Sequence, residues 1–540
     1  MIQNPILPGF NPDPSIVRVG DDYYIATSTF EWYPGVQIHH SRDLVNWRLL
    51  TRPLTRASQL NMLGAPDSCG VWAPCLTYAD GLFWLIYTDV KRYGRTSSGA
   101  ATGSASLRDF HNYLVTSPSI EGPWSDPVYL NSSGFDPSLF HDDDGRKYLL
   151  NQLWDHRPGG NRFAGIVMQE YSPQERKLIG KRENIFKGTP HGLTEAPHLY
   201  KRNGYYYLFT AEGGTGWNHG VTMARARDLH GPYELHPQQT ILTSRNRPDL
   251  DLQRAGHADL VETPDGQTYM VYLCGRPLRN RGTCTLGRET AIQRMQWDDD
   301  GWLRAAAPQR EAEAPGLPEH RFPPAPVRED FDDARLPLAF QWLRTPWPEE
   351  LFSLTARAGY LRLYGRESIG SQFRQALVAR RQQAHCYSAS TVLEFEPEHY
   401  QQQAGLVCYY GAAKFHYLYI SHDDENGKHL RVMSSLPNHV QTDTFTVPVP
   451  IPAGVPVQLR VEVDEERLHF GYRLADGAWQ WLPQQFDASI LSDEANAPGM
   501  PNFTGAFVGM ACQDMSGAGL HADFDHFSYE ERPYRLNPPI

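Results

Sequence analysis

The sequence lacks the features that mark a membrane protein or a nucleic-acid-binding protein. No stretch approaches the roughly 18 consecutive apolar residues that a membrane-spanning helix needs. The 540 residues carry a net charge of −12, which argues against a polyanion such as nucleic acid as the partner. We therefore expect neither a membrane nor a nucleic acid to be a partner of this protein.

Cysteine is scarce: seven residues, an odd number, are scattered along the chain without the spacing of metal ligands. This usage indicates buried free thiols in a reducing cytoplasm rather than a disulfide framework. The start of the chain, Met1–Pro5, has neither the basic segment nor the apolar core of a secretory signal. We therefore expect a cytoplasmic protein.

Sustained helical periodicity is absent from the first half of the sequence, which argues against an α/β barrel. Aromatic residues make up 12% of the chain, with 28 Tyr, 23 Phe and 13 Trp. These residue types favour β-strands, and they also suit a surface that binds sugars. The chain is 40% hydrophobic and 21% charged, which is typical of a soluble globular protein, and its length predicts more than one domain.

An internal repeat is the most informative feature of the first half. Five tight turns begin at Asp21, Asp80, Asp144, Asn203 and Asp265, and an aromatic or β-branched run follows each one. The turns are 59, 64, 59 and 62 residues apart, and four of them are Asp-Gly or Asn-Gly dipeptides, which favour two-residue hairpins. The short strands predicted before the turns are Ile16–Val19, Cys75–Tyr78, Ser138–His141, Pro197–Tyr200 and Asp259–Glu262.

A repeat of this length accommodates the four strands of a propeller blade, so five repeats predict a five-bladed β-propeller over residues 1–303. The residues eight positions before the five turns are Asp13, Trp72, Asp136, Glu195 and His257. In a propeller, equivalent positions at the start of the innermost strands gather around one axis. We therefore expect these five side chains to meet at one end of the central channel.

Three of these five residues are carboxylates, and like charges held close together raise each other's pKa. Two carboxyls that flank a bond, one protonated and one ionised, are the working parts of glycoside hydrolysis, and a third carboxylate helps the acid to keep its proton. Taken singly, Asp13, Asp136 and Glu195 are more often turn, cap or surface residues. Trp72 alone is more often a core residue, and His257 a structural histidine. All five lie at the same position of the repeat, however, and this favours a functional site.

The second half of the chain predicts a different β-domain. Six prolines between Arg304 and Arg328 indicate a linker over residues 304–328. Strict alternation follows, as in Val457–Val463 and Leu468–Leu474, and it predicts a β-sandwich of the jelly-roll or concanavalin-like type over residues 329–540. The whole chain is therefore expected to be all-β. The second half has no comparable cluster of acids, so we assign the chemistry to the first half.

The motifs around these positions resemble those of glycoside hydrolase family 43, in particular its two-domain β-xylosidases. The resemblance spans nearly the whole chain. The motifs are Asn11–Ser15, Ser28–Trp32, Trp72–Pro74, Phe135–Ser138, Thr194–Pro197, Leu286–Thr290 and Gly505–Gly509. The resemblance implies a five-bladed propeller followed by a β-sandwich that closes the active site, and hydrolysis with inversion at the anomeric carbon.

The resemblance also implies a role for each carboxylate. Asp13 would be the general base that activates water, and Glu195 the general acid that protonates the leaving oxygen. Asp136 would raise the pKa of Glu195 and orient its carboxyl. Inversion predicts a separation of about 6.5–9.5 Å between the two working carboxyls, which leaves room for the attacking water.

The same resemblance implies the residues that bind the substrate. Arg288 would bind a hydroxyl of the sugar, with a buried structural ion pair as the alternative role. Phe30, Trp72 and Phe507 would line the pocket for the terminal sugar, and Phe507 would reach in from the sandwich domain. His257 would orient groups in the channel through a hydrogen bond.

No organic cofactor is needed for hydrolysis by two carboxylates. In some family members a calcium ion or another divalent ion lies near the position of His257. One histidine does not make a divalent site without further ligands, so we expect no essential metal. The acidic run Asp142–Asp144 is better explained as a solvated hairpin turn than as a calcium loop.

The leading hypothesis is an exo-acting, inverting β-1,4-xylosidase that releases xylose from the non-reducing end of short xylo-oligosaccharides. An α-L-arabinofuranosidase, or an enzyme with both activities, is the alternative within the family. A non-catalytic carbohydrate-binding propeller is the alternative from another class, although it has no need of three acids in phase. A homo-oligomer, in particular a homotetramer, is implied by the resemblance alone.

Overall fold

The protein is built almost wholly from β-strands in the computed structural model, which describes residues 1–93, 107–279, 282–437, 443–495 and 502–533. Two short 3-10 helices, Pro348–Glu350 and Ala488–Ile490, interrupt the strands of the second half. None of the helices in these ranges is long and apolar enough to cross a membrane. The last part of the predicted sandwich domain, residues 534–540, lies outside the described residues.

Most strands of the first half form five four-stranded sheets, as the repeat predicts. The strands are β1 (Ile2–Gln3), β2 (Ser15–Val19), β3 (Asp22–Thr27), β4 (Trp32–Tyr33), β5 (Gln37–Ser41), β6 (Arg48–Thr51), β7 (Gly70–Ala79), β8 (Leu82–Arg92), β9 (Asp109–Ser117), β10 (Val128–Asn131), β11 (Ser138–His141), β12 (Lys147–Trp154), β13 (Phe163–Ser172), β14 (Lys177–Phe186), β15 (Glu195–Arg202), β16 (Tyr205–Glu212), β17 (Gly220–Ala226), β18 (Glu234–Thr243), β19 (Gln253–Glu262), β20 (Thr268–Gly275), β21 (Glu289–Trp297), β22 (Leu303–Arg304) and β23 (Glu311–Ala312). Blade 1 contains β2, β3, β5 and β6. Blades 2 to 5 take β7 to β22 in consecutive groups of four, while β1 and β23 pair with each other and β4 joins a sheet of the second half.

The turn chemistry explains why the hairpins close where they do. Asp80 and Gly81 between β7 and β8 both have positive φ angles, 55° and 76°, and so do Asn203 and Gly204 between β15 and β16, at 50° and 73°. Two consecutive residues with positive φ give a turn whose twist matches that of the flanking strands. The predicted five-bladed propeller is confirmed.

The chain start is attached to the last blade. Strand β1 pairs with β23, and the side-chain amide of Asn4 both donates to the backbone oxygen of Ile292 at 2.7 Å and accepts from its N–H at 2.9 Å. The backbone of Asn11 bonds to the oxygen of Arg288 at 3.0 Å. These contacts bring the segment before Asp13 against blade 5, so the two ends of the propeller sequence meet.

The proline-rich stretch runs back over the propeller before the second domain begins. Tyr269 in blade 5 donates its hydroxyl hydrogen bond to the oxygen of Glu313 at 3.1 Å. Farther along, the backbone N–H of His320 bonds to Asp43 in blade 1 at 2.8 Å, and the ring of Phe322 lies under the guanidinium of Arg48. Residues 313–327 have no strand of their own and lie against blades 5 and 1.

Two larger sheets pack together as the second domain. Their strands are β24 (Arg328–Glu329), β25 (Phe340–Leu343), β26 (Phe352–Ser353), β27 (Leu361–Tyr364), β28 (Ala376–Arg381), β29 (Cys386–Glu394), β30 (Gln402–Gly411), β31 (Lys414–Asp423), β32 (Gly427–Ser435), β33 (Thr444–Phe445), β34 (Val449–Pro450), β35 (Val457–Asp464), β36 (Arg467–Leu474), β37 (Gln480–Asp487), β38 (Phe507–Asp514) and β39 (His521–Glu531). One sheet has the order β26-β27-β39-β29-β35-β36-β37, with β24 on β39. The other has the order β33-β32-β31-β30-β38-β28-β25-β4, with β34 on β32.

The predicted alternation is visible in β35, where buried and partly exposed residues alternate along all eight positions. The apolar residues Val457–Val463 of this strand face the core because side chains of a strand point to opposite faces in turn. The predicted β-sandwich is confirmed, and it has the concanavalin-like form.

A short strand of the propeller sequence joins the sandwich. Strand β4 pairs with β25, with Tyr33 opposite Trp342 and Trp32 opposite Leu343. The Trp32 side chain is fully buried and stacks on Phe507 with ring centroids 3.7 Å apart. One hydrophobic cluster therefore continues from blade 1 into the sandwich.

A buried arginine adds a polar connection at the same boundary. The Arg344 side chain is fully buried and forms an ion pair with Asp67 at 2.6 Å. Its Nε donates to the oxygen of Ala65 at 2.7 Å, and its Nη1 donates to Gln375 at 2.6 Å. The loop before β7 is thereby held against the sandwich.

We expect the substitution Trp32→Ala to lower the free energy of unfolding by about 3–5 kcal/mol, because it removes a large buried side chain and leaves a cavity between the domains. Urea denaturation followed by circular dichroism measures the loss. The matched control is Trp481→Ala, since Trp481 is 38% exposed. A loss no larger than that of the control would show that the Trp32–Phe507 stack does not hold the two domains together.

Candidate active site

The five residues in phase meet in one cavity of about 230 Å³ at one end of the propeller axis. Asp13, Trp72, Asp136, Glu195 and His257 all line it, one from each blade. All five side chains are buried, with 4–7% of their surface exposed. The expected convergence is therefore found in the structure.

Local backbone distortions position these side chains. Left-handed φ angles occur at Asp13 (58°), Ala73 (35°), Asp136 (53°), Ala196 (50°) and His257 (41°). The innermost strands β7, β15 and β19 each have a register shift at the same point. Bulges of this kind re-aim a side chain, and strained non-glycine residues concentrate at functional sites. Each blade thus turns one side chain towards the axis.

Both carboxylate oxygens of Asp13 accept a hydrogen bond. Ser28 donates its hydroxyl to Oδ2 at 2.7 Å, and Arg288 donates Nη1 to Oδ1 at 3.0 Å. The Nδ1 atom of His257 lies 3.5 Å from the same Oδ1. Asp13 thus lies among hydrogen-bond donors and beside a positive charge.

Glu195 has the opposite environment. Its burial is the main cause of a pKa well above the usual range of a glutamate, and the negative charges of Asp136 and Asp13 raise it further. The pKa of Asp136 is also raised, by burial and by Asp13, although the N–H of Ala196 at 3.1 Å and the charge of Arg288 oppose this. The pKa values of Glu195 and Asp136 are thus both raised, and of the two only Asp136 has a backbone N–H that opposes the rise.

Arg288 connects the acid cluster to the second domain. Besides its bond to Asp13, its Nη2 donates to the backbone oxygen of Phe503 at 2.7 Å. The guanidinium lies 5.3 Å from the ring centroid of Phe30 and 5.9 Å from that of Phe503. Its Nε is buried and has no protein partner. One donor of Arg288 is thus left for a ligand.

Aromatic rings form one wall of the cavity. The ring of Phe30 lies 5.6 Å from that of Trp72, and Phe503 lies 5.5 Å from Trp72. The Trp72 Nε1 donates to the oxygen of Ser68 at 2.9 Å, which fixes the indole orientation. The backbone N–H of Phe503 bonds to the Ser68 hydroxyl at 3.0 Å. Apolar rings placed this way offer a face to a sugar ring.

The expectation that Phe507 lines the pocket is wrong in the structure. Phe507 is fully buried in β38 between β28 and β30, and its ring stacks on Trp32 rather than facing the cavity. The ring that reaches in from the sandwich is Phe503, in the segment just before β38. A side chain within a central strand packs into the core, whereas the segment before the strand is free to reach across to the propeller.

Sequence reasoning missed part of the lining. These residues are Tyr93, Arg108, Phe135, Phe163, Leu193, Gly214, Thr215 and Phe503. The adjacency of Phe135 to Asp136 was the one available signal. Arg108 stacks over the ring of Tyr93 at 3.6 Å and lacks any such signal, because the two residues come together only in the fold.

Few protein groups near His257 could bind a metal ion directly. In the described part of the chain, no three His, Cys, Asp or Glu side chains are grouped closely enough to hold a metal. Both oxygens of the nearby Asp259 are already engaged, by Ser15 and by Tyr200. Burial lowers the pKa of His257 to about 4, so its ring is neutral at neutral pH. We derive no chemical step through a metal.

Comparison with known protein families identifies both domains. The family model of the glycosyl hydrolases family 43 matches residues 2–303, and the family model of the β-xylosidase C-terminal concanavalin A-like domain matches residues 328–530. The chain belongs to glycoside hydrolase family 43. It is therefore an enzyme, rather than a non-catalytic carbohydrate-binding propeller.

Three relatives of this family 43 hydrolase cover nearly its whole length. A xylosidase/arabinosidase of Humicola insolens is 52% identical over 98% of this chain and 97% of that protein. A xylan 1,3-β-xylosidase of a Vibrio species is 47% identical over 98% of this chain and 99% of that protein. The crystal structure of a xylan β-1,4-xylosidase from Bacillus halodurans C-125 has a TM-score of 0.94 and 52% identity, covering 98% of this chain and 100% of that one.

We expect Asp136→Asn to move the alkaline limb of the kcat/KM profile to lower pH by about one unit or more, because the charge of Asp136 raises the pKa of Glu195. Without that charge Glu195 loses its proton at lower pH, so the kcat/KM begins to fall at lower pH. The kcat/KM of the variant is measured from pH 4 to 10, with the exposed Asp424→Asn as the control. An unshifted alkaline limb in Asp136→Asn would show that Asp136 does not set the pKa of the catalytic acid.

Proposed function

We propose that this family 43 hydrolase is an exo-acting β-1,4-xylosidase that releases xylose from the non-reducing end of short xylo-oligosaccharides. The observation that carries the proposal is the small, aromatic-walled cavity in which two carboxyls with opposite environments, Asp13 and Glu195, face one space. The names of the relatives support the xyloside substrate.

The mechanism follows from the two environments. Glu195, protonated, donates its proton to the glycosidic oxygen as the bond from that oxygen to the anomeric carbon breaks. Asp13, ionised, takes a proton from a water whose oxygen bonds to the anomeric carbon from the opposite face. The released sugar therefore carries the inverted, α configuration. Solvent then returns a proton to Glu195 and removes one from Asp13.

Asp136 acts on the acid rather than on the sugar. Its charge raises the pKa of Glu195, and its hydrogen bond from the N–H of Ala196 fixes it beside the peptide that follows Glu195. Arg288 limits the repulsion in the cluster through its ion pair with Asp13. Two neighbouring acids thereby hold different protonation states at one pH.

The shape of the cavity supports removal of single sugar units. Its volume of about 230 Å³ is smaller than the about 300–1,000 Å³ of sites for drug-sized ligands. Phe503 closes one side from the second domain, and the bond from Arg288 to its backbone oxygen holds it there. A closed end stops a through-running polysaccharide and admits a chain terminus.

The binding roles of the lining residues follow from their free groups. The unpartnered Nε of Arg288 is proposed to donate to a sugar hydroxyl, and Phe30 and Trp72 to pack against the sugar ring. His257, neutral beside Asp13, is proposed to orient groups through a hydrogen bond.

An α-L-arabinofuranosidase activity is the second candidate. The observation that favours it is the 52% identity over 98% of the chain to a protein named xylosidase/arabinosidase. Pentopyranosides and pentofuranosides present similar hydroxyls to Arg288. Relative rates on 4-nitrophenyl β-xyloside and 4-nitrophenyl α-L-arabinofuranoside decide between one activity and two.

We also propose a cytoplasmic location, a homotetramer and a reaction that needs no cofactor. The location is supported by the seven free cysteines, all buried and unbridged. The homotetramer is supported by the family resemblance alone, and light scattering on the purified protein tests it. Dialysis against EDTA tests the need for a metal ion: we expect an unchanged rate of hydrolysis.

The first test is time-resolved proton NMR of xylotriose hydrolysis. We expect α-xylose and xylobiose to appear first, because inversion gives the α anomer and exo cleavage leaves the disaccharide. Initial β-xylose would instead require a nucleophile in place of the base Asp13. Parallel reactions with β-1,3-linked xylobiose show whether the 1,4 linkage is preferred, and absence of cleavage of either would leave the arabinoside as the substrate.

We expect Glu195→Ala to slow xylobiose hydrolysis by about 10²–10⁴-fold, since the leaving oxygen then departs without its proton. The loss on 4-nitrophenyl β-xyloside is expected to be smaller, because nitrophenolate leaves without protonation. Initial rates on the two substrates measure the difference, and the exposed Glu425→Ala is the matched control. Equal losses on both substrates would contradict the role of Glu195 as the acid.

A further inference from the structure

A second cavity, of about 460 Å³, lies between blade 1, the proline-rich segment and the sandwich. Arg52, which follows β6, lines it from the propeller side, and Arg380 and Arg381 at the end of β28 line it from the sandwich side. Residues 323–327 form part of a third side. None of its lining residues belongs to the active-site cavity, so it is a separate space.

Three of the four arginines that line this cavity, Arg52, Arg380 and Arg381, are buried without an ion-pair partner among the described residues. Arg52 and Arg381 are 6% exposed and Arg380 is 8% exposed. Within the described ranges, no carboxylate oxygen lies within 4.0 Å of any of their guanidinium nitrogens. Removing a cation from water is unfavourable by several kcal/mol unless an anion compensates it.

Other buried arginines of the protein show the usual arrangement. Arg344 is paired with Asp67 at 2.6 Å, and Arg288 with Asp13 at 3.0 Å. Arg254 likewise pairs with Asp493 at 3.3 Å and with Glu494. Arg52, Arg380 and Arg381 therefore depart from the pattern of the other buried arginines among the described residues.

Neutral acceptors satisfy only part of these guanidinium groups. All three guanidinium nitrogens of Arg52 have neutral partners: Nε and Nη2 donate to Gln37 at 3.1 and 2.6 Å, Nη2 also to the oxygen of Leu338 at 2.6 Å, and Nη1 to that of Phe340 at 3.3 Å. Arg381 donates to the oxygen of Phe10 at 2.6 Å and to Gln341 at 2.5 Å. The Nη2 of Arg381 and the Nε of Arg380 are buried with no partner. Donors remain on both arginines of the sandwich side.

The other titratable groups of the lining leave the cavity positive. His39 is buried, and desolvation together with Arg381 and Arg52 lowers its pKa to about 3, so it is neutral. Arg48 adds a further positive charge at the exposed rim. The one acid of the lining, Glu329, is partly exposed and accepts the backbone N–H of Phe331 at 3.1 Å.

We propose that this interdomain cavity binds a multivalent oxyanion of the phosphate or sulfate class. Guanidinium groups pair with such oxygens through two parallel hydrogen bonds, and more than one negative charge is needed to balance three arginines. The anion would accept from the free donors of Arg380 and Arg381 on the sandwich side, and the positive charge of Arg52 on the propeller side would attract it. Its binding would therefore hold the two domains together.

Titration of the full-length protein with inorganic phosphate tests the proposal. The protein is prepared with chloride as the only anion, and ionic strength is held constant while phosphate replaces chloride. Calorimetry is expected to show saturable binding at one site per chain. The melting temperature is expected to rise with the logarithm of the phosphate concentration, because the anion binds the folded state. Absence of saturable binding would overturn the proposal without any variant.

Variants locate the site. Arg380→Gln and Arg381→Gln are each expected to raise the phosphate dissociation constant about tenfold or more, since each removes charged hydrogen bonds. Arg380→Gln is the safer variant, because Arg380 has a single side-chain bond, to Gln383 at 3.0 Å. Arg431→Gln is the matched control, since Arg431 is a partly buried sandwich arginine bonded to Thr446.

Two further arms complete the experiment. Arg288→Gln is expected to bind phosphate like the wild type, and a loss there would move the site to the active centre and overturn the proposal. Unchanged binding in both Arg380→Gln and Arg381→Gln would overturn it as well. Glucose 6-phosphate is titrated beside inorganic phosphate. Saturable binding of either ligand supports the site, and the lower of the two dissociation constants shows whether a free or a sugar-linked phosphate fits it better.

Discussion

Three buried carboxylates in one cavity repel one another, and the ion pair between Arg288 and Asp13 is the interaction that makes the cluster tolerable. Its positive charge lies against Asp13, whereas burial and the negative charges of Asp136 and Asp13 raise the pKa of Glu195. The proposed division of labour between base and acid depends on this difference between the two environments. If positive charges stood beside all three carboxylates, their pKa values would all be low, and the cluster would provide a base but no acid.

The same arginine ties the chemistry to the second domain. Its Nη2 bonds to the backbone of Phe503, so the charge that organises the acids also holds the ring that closes the pocket. Farther out, the Trp32–Phe507 stack and the Arg344–Asp67 ion pair fix the domains in one arrangement. The sandwich is therefore part of the active site, although it contributes none of the catalytic acids.

The repeat predicted both the propeller and the convergence of its five axial residues, because turn spacing and strand phase are local properties of the sequence. The assignment of Phe507, which came from the family resemblance, was wrong, and the sequence pattern could not correct it. Strand alternation shows that a residue is buried, but not whether it faces the core or a neighbouring domain. Phe503 lies in a segment without periodicity, so no pattern in the sequence marks it. Arg108 and Tyr93 meet only through the fold, and so do the arginines of the interdomain cavity.

The sequence by itself determined the all-β class, the five blades, the sandwich and the identity of the three acids, because these depend on interactions between residues close together in the chain. Positive φ at Asp-Gly and Asn-Gly turns and the two-residue period of strands act over a few residues. Only the tertiary structure decided how burial and neighbouring charges shift the pKa values of Glu195 and Asp136, which ring of the sandwich lines the pocket, and where arginines from two domains share one cavity. These properties depend on burial and on distances between charges far apart in the chain, and such distances exist only once the blades and the sandwich have packed.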